Sequence, residues 1–170
     1  RKEIPDHIRR NIKGRSNAEL IFHLFCARHE ANFEHGTAEV SARRHAVALA
    51  DTMLYVEDRI REEQGDEGAP FLVIAATEKL LLAARIGAEP MHYRFFEGID
   101  EPAEKPLFAG HRPKPVHHKH FSGLIVANKI DDTAQWQELP DRHILWVEPK
   151  WRIRTAPLDH MDDLNIEEEE

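Results

Sequence analysis

Six apolar residues between Ala42 and Ile60 recur at spacings of four, three, four, three and four: Ala42, Ala46, Leu49, Met53, Val56 and Ile60. Only an α-helix turns at a rate that lines all six along one stripe. Such a stripe needs a partner, since an unpaired apolar face costs more than helix propensity returns. Small residues at its start let a neighbouring helix come close. Glu57 and Arg61 sit one turn apart on the outside, a favourable i,i+4 pair. Gly36 with Thr37 marks the predicted start of this helix and Gly65 its end.

The partner lies just upstream. Ser16 or Asn17 is a good N-cap for a helix running to about His35. Leu20, Ile21, Phe22, Leu24, Phe25, Cys26, Ala27 and Phe33 cover most of its wheel. Glu19, His23, Glu30 and Glu34 leave only a narrow polar arc. That pattern predicts burial on more than one side, with the arc solvated. The Glu-x-x-His spacing of carboxylate-bridged metal helices is missing from it. Residues 16–65 therefore read as a helical hairpin.

The next segment changes character. Phe71 to Ala76 is the longest apolar run, six residues, and predicts a strand buried on both faces. Thr77 then caps a predicted short helix over Glu78 to Ile86, closed by Gly87. Strands are expected at Met91 to Phe96, Phe121 to Ala127, His143 to Val147 and Lys150 to Thr155. A helical turn is expected at Thr133 to Leu139. Residues 97–119 carry four prolines and two glycines and form a long loop. The predicted class is α/β or α+β, a helical hairpin packed on a small mixed sheet of about five strands. Residues 66–158 form the small α/β region and fold as one unit with the hairpin. A basic arm (1–15) precedes them and an acidic tail (159–170) follows.

Charge separates those two ends. Arg1, Lys2, Arg9, Arg10, Lys13 and Arg15 face only Glu3 and Asp6 within the arm. The tail holds seven acids and no Lys or Arg, so most of the net charge of −8 resides there. The rest of the chain, with 24 acids against 23 bases, is close to neutral. Basic islands and an acidic tail suit protein partners of a larger assembly, and RNA or DNA. The expected anion or nucleic-acid contacts are Arg9, Arg10, Lys13, Arg15, Arg112, Lys114, Lys119, Trp151, Arg152 and Arg154. Trp151 joins them because an aromatic beside arginines can stack on a base or anchor an interface. No apolar run reaches the roughly 18 residues of a membrane span. One cysteine, Cys26, allows no internal disulfide and no cysteine-based zinc site, and fits an intracellular, reducing compartment. A start at Arg1 is consistent with a processed N-terminus, as in an organelle.

Three patterns point toward other chemistry. His118 and His120 in His111-Arg-Pro-Lys-Pro-Val-His-His-Lys-His120 share one face of an extended segment, a spacing suited to a divalent metal with His111, His92 or His143 as third ligand. Glu148-Pro-Lys150 has the Glu-x-Lys spacing that metal-dependent phosphodiesterases and nucleases use, with Asp131 or Asp132 as the second acid. If the strands ending at Ala76 and Ala127 were parallel neighbours, Thr77, Glu78, Asn128 and Asp131 would line a strand-end crevice for a small regulatory ligand. No nucleophile elbow occurs, and Cys26 reads as a core residue. None of these patterns is complete. The sequence favours a non-catalytic interaction subunit without a cofactor, docking through arm, loop and tail. A metal-dependent nuclease and a ligand-binding regulatory domain are the alternatives.

Overall fold

The computed structural model describes residues 3–32, 41–65, 70–77, 80–87, 89–97, 122–127, 136–148 and 151–161. The fold is α+β, with N-terminal helices and two antiparallel sheets. The helices are α1 (Asp6–Arg9), α2 (Asn17–Asn32) and α3 (Ala42–Gln64). The strands are β1 (Phe71–Ala76), β2 (Leu81–Ile86), β3 (Met91–Glu97), β4 (Ser122–Ala127), β5 (Gln137–Leu139), β6 (His143–Glu148) and β7 (Arg152–Pro157), and a short 3-10 turn spans Leu158–His160. These elements form two compact units, one of residues 1–88 and 140–170, the other of residues 89–139.

In the first unit α3 packs on a four-stranded sheet of order β1-β2-β6-β7. The first four residues of the predicted seam, Ala42, Ala46, Leu49 and Met53, lie on its core face, whereas Val56 packs with the arm and α2. Ala46, Leu49, Ala50 and Met53 of α3 are buried against Leu82, Ala84 and Ile86 of β2, Ile144 and Trp146 of β6, and Ala156 of β7. Period-two alternation selects the sheet residues, because Leu82, Ala84 and Ile86 point to one side. Ser41, not Thr37, caps α3: its hydroxyl accepts the Arg44 N–H. Gly65 closes the helix at φ 90°, a left-handed position where a side chain would be strained, and its N–H returns to the Arg61 carbonyl.

Helix α2 starts after Ser16 as predicted. Ser16 Oγ accepts the Glu19 N–H at 3.1 Å, and the Glu19 carboxylate accepts the backbone N–H of Lys13 at 2.9 Å and of Gly14 at 2.7 Å. Ser16 thus caps α2, and Glu19 ties the helix start to the arm rather than to the Ser16 backbone as a capping box would. Leu24 and Ala27 pack with Ile4 and Ile8, and with Tyr55 and Val56 of α3. Not every apolar side of α2 is covered, since Phe22 is 56% exposed. The polar arc is also less wet than its pattern implies: His23 is buried, its Nδ1–H donating to the Glu19 carbonyl at 2.8 Å.

Two strand expectations are corrected. Residues 81–86 form β2 rather than a helix, pairing with β1 from Ala76↔Leu81 to Phe71↔Ile86 and with β6 from Leu82↔Trp146 to Arg85↔His143. Leu, Ala and Arg favour helices in isolation, but a place between two strands outweighs that preference. Thr77 belongs to the hairpin turn, its N–H donating to the Leu80 carbonyl. β1 is an edge strand, not a strand buried on both faces; Ile74 is 54% exposed. The fully buried positions are Leu82, Ala83 and Ala84 of β2 and Ile144 and Leu145 of β6, the two central strands.

The second unit contains a three-stranded sheet of order β4-β3-β5, antiparallel throughout. Met91 and Leu139 face each other across β3 and β5, and both are buried. Residues 137–139, expected at the end of a helical turn, are strand β5.

Candidate functional site

The arm is built into the fold rather than trailing from it. Ile4 and Ile8 are 6% and 8% exposed, so apolar burial fixes both ends of its first turn and a half. Glu3 holds Arg59 at 3.2 Å, and its carboxyl lies below the usual carboxylate range because of the Tyr55 hydroxyl, with Arg59 and Arg28 adding to the effect. The guanidinium groups of Arg28 and Arg59 stand 4.6 Å and 5.3 Å from the Tyr55 ring centroid. Further along, Glu19 grips the Lys13 and Gly14 backbone. His7 meets Glu30 of α2 at 2.7 Å.

That anchoring leaves a set of cations facing water. Arg9 is exposed and paired with Asp6. Arg10, Lys13 and Arg15 are exposed as well. Among the described residues no carboxylate lies within ion-pair distance of these three. Held within six residues of one another on a fixed backbone, they concentrate positive charge with little side-chain neutralisation.

A second cationic site lies where β6 turns into β7. Trp151 is 49% exposed and sits at φ 58°, a backbone region bulky residues seldom enter. Arg152 and Arg154 are exposed and share one face of β7. Arg154 Nε donates to Glu148 at 3.1 Å, and the buried Trp146 indole N–H donates to the same carboxylate at 3.3 Å. Glu148 is thus occupied by two donors of its own hairpin. Trp146 belongs to the core and Trp151 to the surface.

A buried carboxylate organises the opposite end of the sheet. Glu57, 4% exposed in α3, receives Arg61 at 2.8 Å and Arg142 Nη1 at 2.6 Å to both oxygens. Arg142 also forks onto Asp159 at 2.9 Å and 3.2 Å. The fork holds the Asp159 carboxyl below its ordinary value, and the Asp159 and Glu57 contacts raise Arg142. Arg142 itself stands at φ 57°, so the network fixes a strained turn. Nothing in the sequence marks this cluster except the Glu57–Arg61 spacing, because Arg142 and Asp159 are remote in the chain.

Most of the remaining candidates fall outside the described residues. Arg112, Lys114, His111, His118, Lys119 and His120 lie outside the described residues, as do Asp131, Asp132 and Lys150. His92 is in β3 of the second unit, whereas His143 is in β6 of the first, its Nδ1–H donating to the Asp141 carbonyl at 2.8 Å. Among the described residues no group of three His, Cys, Asp or Glu could hold a metal ion. The parallel pairing assumed for the strand-end crevice is not formed: among the described residues β1 and β4 belong to different sheets and every pairing is antiparallel, while Glu78, Asn128 and Asp131 lie outside the described residues. Cys26 is half-buried and burial pushes its thiol pKa up. No described helix is long and apolar enough to cross a membrane.

No family model matches the chain. A stretch of 53 residues is 38% identical to the alpha-1 giardin subunit of Giardia intestinalis, covering 31% of this chain and 18% of that protein. In three dimensions the chain is similar to a glutamine aminotransferase class-II domain protein from Silicibacter pomeroyi, with a TM-score of 0.58 and 17% identity. That likeness covers 92% of this chain and 57% of the other, and shows the fold alone. The chain spans less than a fifth of the giardin subunit and little more than half of the solved neighbour.

Proposed function

We propose that the chain is a docking subunit that works by binding into a larger assembly, without catalysis of its own. Its basic arm meets an anionic partner, and RNA or DNA is the favoured one. One observation carries this reading. Ile4, Ile8 and Glu19 hold the arm in place while Arg10, Lys13 and Arg15 face solvent. Fixing a segment in advance removes much of the entropic cost of binding through it. Trp151 and Arg152 supply a further contact of the kind that dominates interfaces. The proline- and histidine-rich segment 98–119 and most of the acidic tail lie outside the described residues and join the proposal through composition and charge alone.

The solved neighbour is described as a glutamine aminotransferase class-II domain protein, which makes glutamine aminotransferase activity a competing reading.

The test is binding of labelled single-stranded RNA and duplex DNA by the whole chain, followed by fluorescence anisotropy across a salt series. The expected result is salt-sensitive binding. Replacing Arg10, Lys13 and Arg15 together by Gln should flatten the log–log salt slope by about 2 to 3 for three phosphate contacts. Equal slopes for the wild type and the triple variant would remove the arm from the contact.

A further inference from the structure

We propose that β1 is a self-pairing edge: two copies of this chain join Phe71–Ala76 antiparallel about a two-fold axis, running their four-stranded sheets together. The inference rests on a contrast between the two edges of one sheet and does not depend on the docking reading.

β1 and β7 are the outer strands of the order β1-β2-β6-β7. Among the described residues β1 pairs with β2 alone and β7 with β6 alone. Each therefore presents a row of outward backbone donors and acceptors. Soluble proteins commonly blunt such edges with charge. β7 fits that habit, with exposed Arg152 and Arg154 on one face. Pairing β7 with its own copy would set arginines opposite or diagonal to arginines, which is unfavourable.

β1 carries no such guard. Its six residues, Phe-Leu-Val-Ile-Ala-Ala, hold no charge and no polar side chain. Ile74 points to solvent at 54% exposure and Ala76 is exposed. A two-fold axis centred on Ile74 would set Ile74 beside its copy and Leu72 beside Ala76. From Leu72 to Ala76 apolar meets apolar at every position, Phe71 falls opposite Thr77, and no like-charge contact arises. The strand is therefore complementary to itself, which an isologous interface requires. Phe71, Val73 and Ala75 stay packed on the core, so pairing needs no rearrangement of the unit. A ladder of five strand residues, Leu72 to Ala76, is a small interface, so the dimer should be weak and concentration-dependent.

Sedimentation velocity on the whole chain, from about 1 μM to several hundred μM, covers the range of such weak interfaces. Hydrogen exchange on the same samples locates the contact. The expected result is a monomer–dimer equilibrium in which amides of residues 71–76 become slower to exchange as dimer accumulates. Ile74→Lys places a charge at an exposed edge position and should weaken the dimer by about tenfold or more. Thr155→Lys, on the opposite edge, should leave it unchanged. A monomer throughout, protection confined to other strands, or a dimer indifferent to Ile74→Lys would each overturn the proposal. Circular dichroism establishes that the variants are folded. The arm variant should dimerise normally, so failure of either proposal can be told from failure of the other.

Discussion

Arg142 Nη1 stands 2.6 Å from both carboxylate oxygens of Glu57, joining α3 to the turn before β6 across 85 residues of chain. The same guanidinium forks onto Asp159, just beyond β7. One side chain thus ties the helical layer to two strands of the sheet. Removing Glu57 breaks the buried half of this network and leaves Arg142 with Asp159 alone. Glu57→Ala should therefore destabilise the first unit by about 2–4 kcal/mol, within the range for broken buried pairs after allowing for Arg142's partial exposure. Urea unfolding checks this.

The strain at Arg142 can be measured separately. Its φ of 57° suits glycine better than alanine. Both Arg142→Ala and Arg142→Gly lose the contacts to Glu57 and Asp159. The glycine variant should be the more stable by about 1 kcal/mol. Equal stability would mean that the turn relaxes once the side chain is gone.

Glu19 and Gly14 make a more local prediction. A Cβ added at Gly14 would clash with Glu19 Oε2, so Gly14→Ala should displace the carboxylate and lose its two backbone bonds. The expected cost is about 1 kcal/mol, the usual value of a cap. In a Glu19→Ala background the same change should cost almost nothing. A full cost there would place the effect in the backbone rather than in the cap.

Stability should fall in two steps as pH falls. His29 stacks on His45 with ring centroids 4.6 Å apart, and burial, then His45 and Arg44, lowers its pKa below 6.5. Folding therefore favours the neutral ring. Its contribution is complete above about pH 6.5 and is lost as pH drops through the lowered folded value, with a slope of at most about 1.4 kcal/mol per pH unit. His29→Gln should flatten that step. Asp159, lowered below 3.8 by the Arg142 hydrogen bonds, contributes above its unfolded value and loses that contribution only at more acidic pH. Denaturant unfolding at a series of pH values resolves both steps.

Much of the fold was legible where a period repeats. The stripe from Ala42 to Ile60 identified α3, and its first four residues marked the side packed on the sheet; Ser16 or Asn17 marked the start of α2. Leu81 to Ile86 was misread because its residues favour helix locally, and a central place in a sheet is a tertiary fact. β1 looked like a buried strand because an all-apolar run does not reveal whether both its edges are paired. The arm was legible as charge, but its anchoring by Ile4, Ile8 and Glu19 was not, since those contacts join segments that sequence reads separately. The cluster of Glu57, Arg142 and Asp159 was invisible for the same reason.

The most direct measurement on the docking claim is native mass spectrometry of the whole chain isolated from its own source under mild salt. The wild type and the variant with Arg10, Lys13 and Arg15 replaced by Gln should be run side by side. The account predicts subunits or nucleic acid bound to the wild type and largely lost from the variant. A wild-type chain that flies alone, or a variant that keeps the same partners in the same amounts, would contradict it.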